Sequence, residues 1–397
     1  MRLSYIDVLR GLVIVLMALD HARDYLHASG FAGNPLDPAQ TTPLLYATRW
    51  VTHLCAPTFV FLAGASAYLQ RARGKARRPL SAFLLKRGLW LIALELTVLS
   101  FGWSFALPYP LFLQVIWAIG WSMIALSALV WLPRPAVLVI GVAVVAGHNL
   151  LDPITPQQFG PWSLLWKVLH EGGLITAGGA PIGVAGYPVL PWFGVIALGY
   201  GLGPLFTAAP AKRDRTFLAL GVAMLATFAV LRGFNLYGNP AGGLGPAGAA
   251  KLWQDQPDGG SALMVFLDVR KYPPSLQFVL VTLGAVFALW PLLARLRGPV
   301  ASFFNTFGAV PLFFYVLHVY LVHALAIAAN AAAGHDVRGL FTYLANAFTG
   351  SPLMKGLGFP LWGAYVGWVA VMALLYPPCR RWQAVKARRR DWWLSYL

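Results

Sequence analysis

An all-α, polytopic membrane helix bundle of about ten transmembrane helices is the fold class that this chain predicts, and three observations predict it. Hydrophobic residues make up 58% of the 397 positions, charged residues only 11%, and the mean hydropathy is +0.65; soluble domains do not reach such values. Apolar windows of roughly 20 residues, the length needed to cross a hydrocarbon core of about 30 Å, recur from end to end. Lysine and arginine gather between alternate windows instead of spreading evenly.

Taken in order, the windows fall near residues 5–26, 50–70, 86–106, 111–132, 135–149, 187–206, 215–233, 276–296, 303–329 and 357–376. The fifth is short, and proline and glycine inside several are tolerated because neighbouring helices re-satisfy the freed backbone groups. Seven basic residues separate the second and third windows (Arg71, Arg73, Lys75, Arg77, Arg78, Lys86 and Arg87). "AKRDR" supplies Lys212, Arg213 and Arg215, then come Arg295 and Arg297, and six more run from Arg380 to Arg390. With Arg2 and Arg134, 20 of the 30 basic residues fall on one side of the bilayer, so the positive-inside rule places both termini in the cytoplasm. Cytoplasmic loops against membrane lipids thus account for the net charge of +17, and no nucleic-acid partner is needed. The expected organisation is a membrane domain over residues 1–379 and a basic cytoplasmic tail, 380–397, able to hold anionic headgroups.

The first window is read as a retained helix, since Asp7 and Arg10 interrupt the basic region that a signal peptide would carry. Cys55 and Cys379 fall near opposite ends of different helices and are expected to be packing residues, not a disulfide. Segments near 22–49, 150–186, 234–275 and 330–356 are long and rich in Gly and Pro, and irregular loops of that length are usually functional or disordered. They are expected to converge over the outer face. Neither an internal repeat nor a strand is evident.

"YIDVLRGLVIVLMALDHARDYLH", the first helix, carries groups that hydrocarbon penalises. At about 100° per residue, Asp7, Arg10 and His21 fall within an arc of about 60°, and Asp24 lies one turn beyond His21 near the same stripe. The rise of 1.5 Å per residue puts His21 about 21 Å along the axis from Asp7. Intramembrane ionisable groups ordinarily face a bundle interior or a watery cavity, so this stripe is expected to line a polar path. His53, one turn after Arg49, opens the second window at its outer end; His318 stands about 22 Å into the ninth, and His323 reaches its outer boundary. His21, His53 and His318 are therefore expected at one depth on three helices, a set of imidazoles suited to acid–base work.

Simpler readings stand beside these. Membrane histidines such as His318 and His323 serve as interhelical hydrogen-bond partners, Asp7 and Arg10 can neutralise each other, and His148 and His170 are expected to be solvated at loop edges. Glu95 has no visible partner in the third window. Arg270, Lys271 and Tyr272 in "DVRKYPPSL" precede a helix whose start two prolines fix, so capping, lipid anchoring and substrate contact are all open there. The histidines lack metal-ligand spacing within any one segment and lack companion thiolates, so no metal is expected. No Gly-rich nucleotide loop follows a strand, and a Ser-His-Asp triad has no local signature.

"IDVLRGLVIVLMALDHARD", "RWVTHLCAPTFVFLAG", "PVLPWFGVIALGYGLG", "KYPPSL" and "VPLFFYVLHVYLVH", in that order, resemble the bacterial integral-membrane proteins grouped with the catalytic domain of heparan-alpha-glucosaminide N-acetyltransferase. The "DVLRG" opening that ends in a histidine is also similar to the wider transmembrane acyltransferases that O-acetylate surface polysaccharides. The likeness runs from about residue 3 to 325. It implies an acetyltransferase with acetyl-CoA as co-substrate on the cytoplasmic side and a sugar amine or hydroxyl acetylated at the outer face.

Two histidines compete for the active position under this resemblance. His27 begins "HASG" and matches the histidine of the "HAS" stretch in the lysosomal enzyme, whereas His21 matches the helix-end histidine of the polysaccharide acyltransferases. Arg10, with Asp7 beside it, would hold a phosphate or pantetheine amide of CoA. His21 or His27, oriented by Asp20 or Asp24, would remove the acceptor's proton while Arg49 or His53 steadies the tetrahedral oxyanion. His318, Lys271 and Tyr272 complete the expected acceptor contacts, and an acetyl-histidine intermediate stays open. The expected setting is a bacterial inner membrane, with lipids and a glycan acceptor as partners and a homodimer compatible with the reading. The rival is a secondary or proton-coupled transporter of a small solute, for which about ten spans and buried Asp and His groups are equally natural.

Overall fold

The computed structural model describes residues 4–30, 33–240, 252–389 and 391–396. Arg2 and Arg390, counted above among the cytoplasmic charges, lie outside the described residues. The fold is all-α, and among the described residues six helices are long and apolar enough to cross a membrane: Pro43–Ala72, Arg134–Leu151, Leu190–Thr207, Pro210–Gly233, Pro311–Ala332 and Leu361–Arg388. Ser4–Leu26 has 23 residues, but its aspartates and arginines lower its hydropathy. Val115–Leu129 and Leu276–Ala288 are apolar but shorter.

Two expectations are corrected. The window 303–329 is not one helix: Gly298–Gly308 ends, Val310 leaves the helical region at φ −132° and ψ 51°, and Pro311 begins the next helix. Proline lacks the N–H that a continuing helix would use and is preorganised for a helix start. His318 therefore stands seven residues into its helix, about 10 Å from its beginning instead of 22. The long loops also fold more than their composition suggests. Strands Gly173–Ala177 and Ala180–Ala185 pair antiparallel, with Leu174 opposite Val184. The turn between them needs two left-handed residues, supplied by Gly178 (φ +57°) and Gly179 (φ +82°). Short helices Gly259–Leu267 and Tyr343–Phe348 fill two further loops.

The chain divides into two compact units. The first comprises Met1–Cys55, Leu96–Phe112 and Leu293–Leu397. Its centre is Ser4–Leu26, packed against Gly298–Gly308, Pro311–Ala332 and Leu361–Arg388. At the crossing with Gly298–Gly308 the backbones touch, since a Cβ on Gly11 would collide with the Phe304 carbonyl and one on Gly308 with the Asp7 carbonyl. Small residues at such crossings let dispersion and backbone contacts replace the hydrophobic drive that lipid removes. Trp368 Nε1 donates to the Val15 carbonyl at 2.9 Å, and the Cys55 thiol to that of Val13 at 3.2 Å. Cys55 and Cys379 are buried thiols, not joined to each other.

The second unit comprises Ala56–Glu95 and Leu113–Leu292. Its helices pair by the same device, and the glycines come in facing sets. Gly88 and Gly120 join Arg77–Leu94 to Val115–Leu129, Gly141 and Gly194 join Arg134–Gly147 to Leu190–Gly201, and Gly221 and Gly284 join Pro210–Gly233 to Leu276–Ala288. Glu95 gains the partner that the sequence did not reveal: its Oε2 accepts from the Trp117 backbone N–H at 2.9 Å. The carboxyl thereby satisfies one of the open amides in the first turn of Val115–Leu129.

Candidate functional site

Two of the expected site residues meet in the first unit as a pair. His21 Nδ1 lies 2.7 Å from His318 Nε2, the rings stacked at 4.9 Å between centroids. Trp103 packs edge-on against His21 at 4.9 Å, and Tyr315 closes the other edge at 6.3 Å. His318 is fully buried and His21 nearly so. Hydrogen placement follows from the backbone. The Tyr315 carbonyl, 2.6 Å from His318 Nδ1, can only accept, so His318 Nδ1 carries a proton. With both rings neutral, His318 Nε2 is then an acceptor, His21 Nδ1–H donates to it, and the basic lone pair of His21 falls on Nε2. A carbonyl thus sets the tautomer of one ring, and that ring sets the tautomer of the next.

Asp20, Asp24 and Arg49 form a neighbouring ion network with Arg23, all four residues at 9% exposure or less. Arg49 donates to Asp20 Oδ2 at 3.0 Å and to Thr52 at 3.0 Å. Arg23 reaches Asp20 at 3.3 Å and pairs with Asp24. Two carboxylates and two guanidinium groups balance, which makes their burial tolerable. The expectation that Asp20 or Asp24 orients the active histidine is revised here: the partner at His21 Nδ1 is His318, and the carboxylates hold arginines.

His27 is half-buried beyond the end of the first helix. Its Nδ1 receives the Ser29 backbone N–H at 3.2 Å and lies 2.7 Å from the Ser29 hydroxyl. An amide N–H can only donate, so the neutral ring carries its proton on Nε2. Burial, and then the Arg23 guanidinium, hold His27 below the usual imidazole value. His53 is buried in the turn Thr52–Leu54 with its ring edge-on to Trp50 at 6.5 Å. His323 ties two backbone segments, its nitrogens 2.9 Å from the Gly102 and Leu340 carbonyls, in line with the simpler reading of that residue.

Asp7 and Arg10 pair at 2.8 Å, and Arg10 also reaches the Gly308 carbonyl at 3.3 Å. Between Arg10 and His21, on the same arc of the helix, stand Ile14 and Met17, buried at 1% and 5% exposure. The stripe is therefore inward-facing along its length but polar only at its two ends.

Lys271 and Tyr272 belong to the second unit. Lys271 is buried with its ammonium 5.2 Å over the Tyr272 ring, Arg270 Nε donates to the Tyr272 carbonyl at 3.0 Å, and Ser275 caps Leu276–Ala288 through the Phe278 N–H at 3.1 Å. Beside this turn lies a cluster that the sequence reading did not assemble. His148 and His170 are buried at 3% and 2% exposure, not solvated as expected: the two rings pack on each other at 5.7 Å and Trp166 packs on His170 at 5.1 Å. His170 Nε2 meets Asp152 Oδ1 at 3.1 Å, and a cavity of about 100 Å³ is lined by Asp152, His170, Glu171 and Arg270. Burial raises Glu171, an effect that Lys167 moderates, and lowers Arg270 against the pull of Asp152 and Glu171. One signal was readable in "HNLLD": His148 and Asp152 stand at i and i+4, a spacing that shares a helix face.

The sequence model of the family described as heparan-alpha-glucosaminide N-acetyltransferase, catalytic, matches residues 2–234. That span takes in His21, His27 and the Asp20–Arg49 network, while His318 lies beyond it. No curated protein matches the chain. A match over more than half the length, with its ordered motifs set on an all-α membrane fold, makes the chain a member of the heparan-alpha-glucosaminide N-acetyltransferase catalytic family, and so a membrane acetyltransferase in the general sense.

Proposed function

We propose that the protein transfers acetyl from cytoplasmic acetyl-CoA to an amino sugar or glycan hydroxyl at the outer face of a bacterial inner membrane, with His21 as general base. The observation that carries this is the His318–His21 pair: the Tyr315 carbonyl sets the tautomer of His318 and through it that of His21, whose basic nitrogen is then Nε2, the form a general base needs. His27 is the second reading, favoured by the "HASG" match, but its Nδ1 is engaged by the Ser29 amide and its Nε2–H suits donation more than proton removal. Arg49, held by Asp20, supplies positive charge for an oxyanion. Arg10, partly exposed at the other end of the first helix, suits a CoA phosphate.

The topology that goes with this reading has about ten spans. Ser4–Leu26, the helix beginning at Arg77, Val115–Leu129 and the segment from Leu276 join the six long apolar helices, with both termini cytoplasmic. Purified protein given labelled acetyl-CoA and a panel of amino sugars tests the whole. Transfer is expected in the wild type, is lost in His21→Ala and persists in His27→Ala. Failure to bind CoA ends the proposal, and transfer at the wild-type rate by His21→Ala removes His21 from it.

A further inference from the structure

Burial of His148 and His170 leaves a chemical problem. The Pro274 carbonyl serves one ring nitrogen of His148 as a backbone acceptor; the other, and Nδ1 of His170, have no well-formed hydrogen bond among the described residues. Buried polar atoms are nearly always paired, and leaving one unsatisfied costs on the order of 1–3 kcal/mol. One such atom on each of two touching rings, 5.7 Å apart between centroids, points to a missing partner shared by both.

We propose that His148, Asp152 and His170 bind one divalent transition-metal cation, with zinc the ion that suits them best. Each residue offers one donor atom, and the three lie within 4.8 Å of one another. Around a tetrahedral zinc, bonds of about 2.0–2.2 Å put donors about 3.3–3.6 Å apart, so the widest pair closes by roughly 1.5 Å at most. Two imidazole nitrogens and one carboxylate oxygen form a donor set that zinc accepts, leaving a fourth position for water. The cavity of about 100 Å³ beside Asp152 and His170 has room for that water, whose share of liquid volume is about 30 Å³. Supporting contacts are in place: Asn149 Nδ2 donates to Asp152 Oδ2 at 2.9 Å, fixing the carboxylate as metal sites require. The charge also suits a cation, because Asp152 and Glu171 outnumber Arg270 at the cavity wall.

The sequence expectation of no metal was drawn within single segments, whereas these donors come from a helix end and from a turn about twenty residues later. The proposal is independent of acetyl transfer, since it uses none of the residues given a role in that reaction. Untagged full-length protein in detergent, stripped with chelator and then dialysed against zinc, tests it by metal content. About one zinc per chain is expected for the wild type, with most of it lost in His148→Gln and in His170→Gln and none lost in His335→Gln. Should the two variants misfold, cobalt decides on the wild type: a strong visible band that saturates near one equivalent and vanishes on adding zinc is expected from a tetrahedral site. Zinc no higher than in a protein-free blank, an unchanged content in both folded variants, or only the aqueous cobalt spectrum overturns the proposal.

Discussion

Each unit buries two imidazoles close to carboxylates, and the two clusters differ in what the carboxylates hold. In the first, Asp20 and Asp24 are taken up by Arg23 and Arg49, and His21 and His318 are left to pair with each other. In the second, Asp152 turns to His170, and one nitrogen on each of His148 and His170 stays without a well-formed hydrogen bond among the described residues. The acids paired to arginine in the first cluster leave the imidazoles to each other, whereas in the second, where Arg270 also acts on Asp152 and Glu171, Asp152 keeps an oxygen on His170 and nitrogen and oxygen donors lie together. The experiments that break this contrast most forcefully act on the first cluster.

Removing the His21 imidazole is expected to lower the rate of acetyl transfer by about 10²–10⁴, the usual worth of a positioned general base, with folding intact by size-exclusion chromatography. His318 sharpens the point. His318→Gln retains an acceptor for the His21 Nδ1–H and is expected to lose less than His318→Ala; equal losses would mean that His318 acts by packing and not by setting the tautomer.

Next in size is the ion network. Asp20→Asn leaves Arg49 and Arg23 short of a buried counter-charge, and breaking a buried pair from one side costs about 3–5 kcal/mol. A thermal melt in detergent should show the loss, and the double substitution Asp20→Leu with Arg49→Met should recover part of it. No loss in the single variant would show that these charges are solvated.

Sequence reading reached these residues unevenly, for identifiable reasons. Helix periodicity put Asp7, Arg10 and His21 on one inward arc, and the structure buries that arc, because the angle between residues of one helix is fixed by local geometry. That Ile14 and Met17 divide the arc into two polar ends follows from the same wheel and was equally legible. The pairing of His21 with His318 is approached through depth: the expectation sets the two at one level and the structure brings them into contact, although Pro311 starts a new helix where one continuous span was expected. His148 and His170 were misread outright. Their burial comes from contact of the two rings with each other and of His170 with Trp166, and a contact between separated segments leaves no mark in either one.

Smaller effects test the packing that the two units share. Gly308 faces the backbone carbonyl of Asp7, whereas Gly88 faces the Ile124 side chain as well as the Gly120 carbonyl. Both meet a helix carbonyl that cannot rotate away, but a Cβ comes closer to it at Gly308 than at Gly88, so Gly308→Ala is expected to cost more than Gly88→Ala within the roughly 1–3 kcal/mol typical of overpacking. Melting temperatures of the two variants compare them directly, and the reverse order would show that the crossing at Gly308 is the looser one.

The smallest expected effect separates the units by the sign of their response to pH. His27, in the first, is held below the ordinary imidazole value by burial and then by Arg23, so the unfolded chain binds its proton first. Its contribution to stability is full above the ordinary value near 6.5 and is lost as pH falls through the lowered one. Glu171, in the second, is raised by burial, so the folded chain keeps its proton longer. Its contribution is full below the ordinary carboxyl value near 4.3 and is lost as pH rises through the raised one. With chelator present, Glu171→Gln should therefore raise the melting temperature at neutral pH and leave it unchanged near pH 4, while His27→Gln should help only in acid. A gain from Glu171→Gln at both pH values would mean that packing, not charge, governs that position.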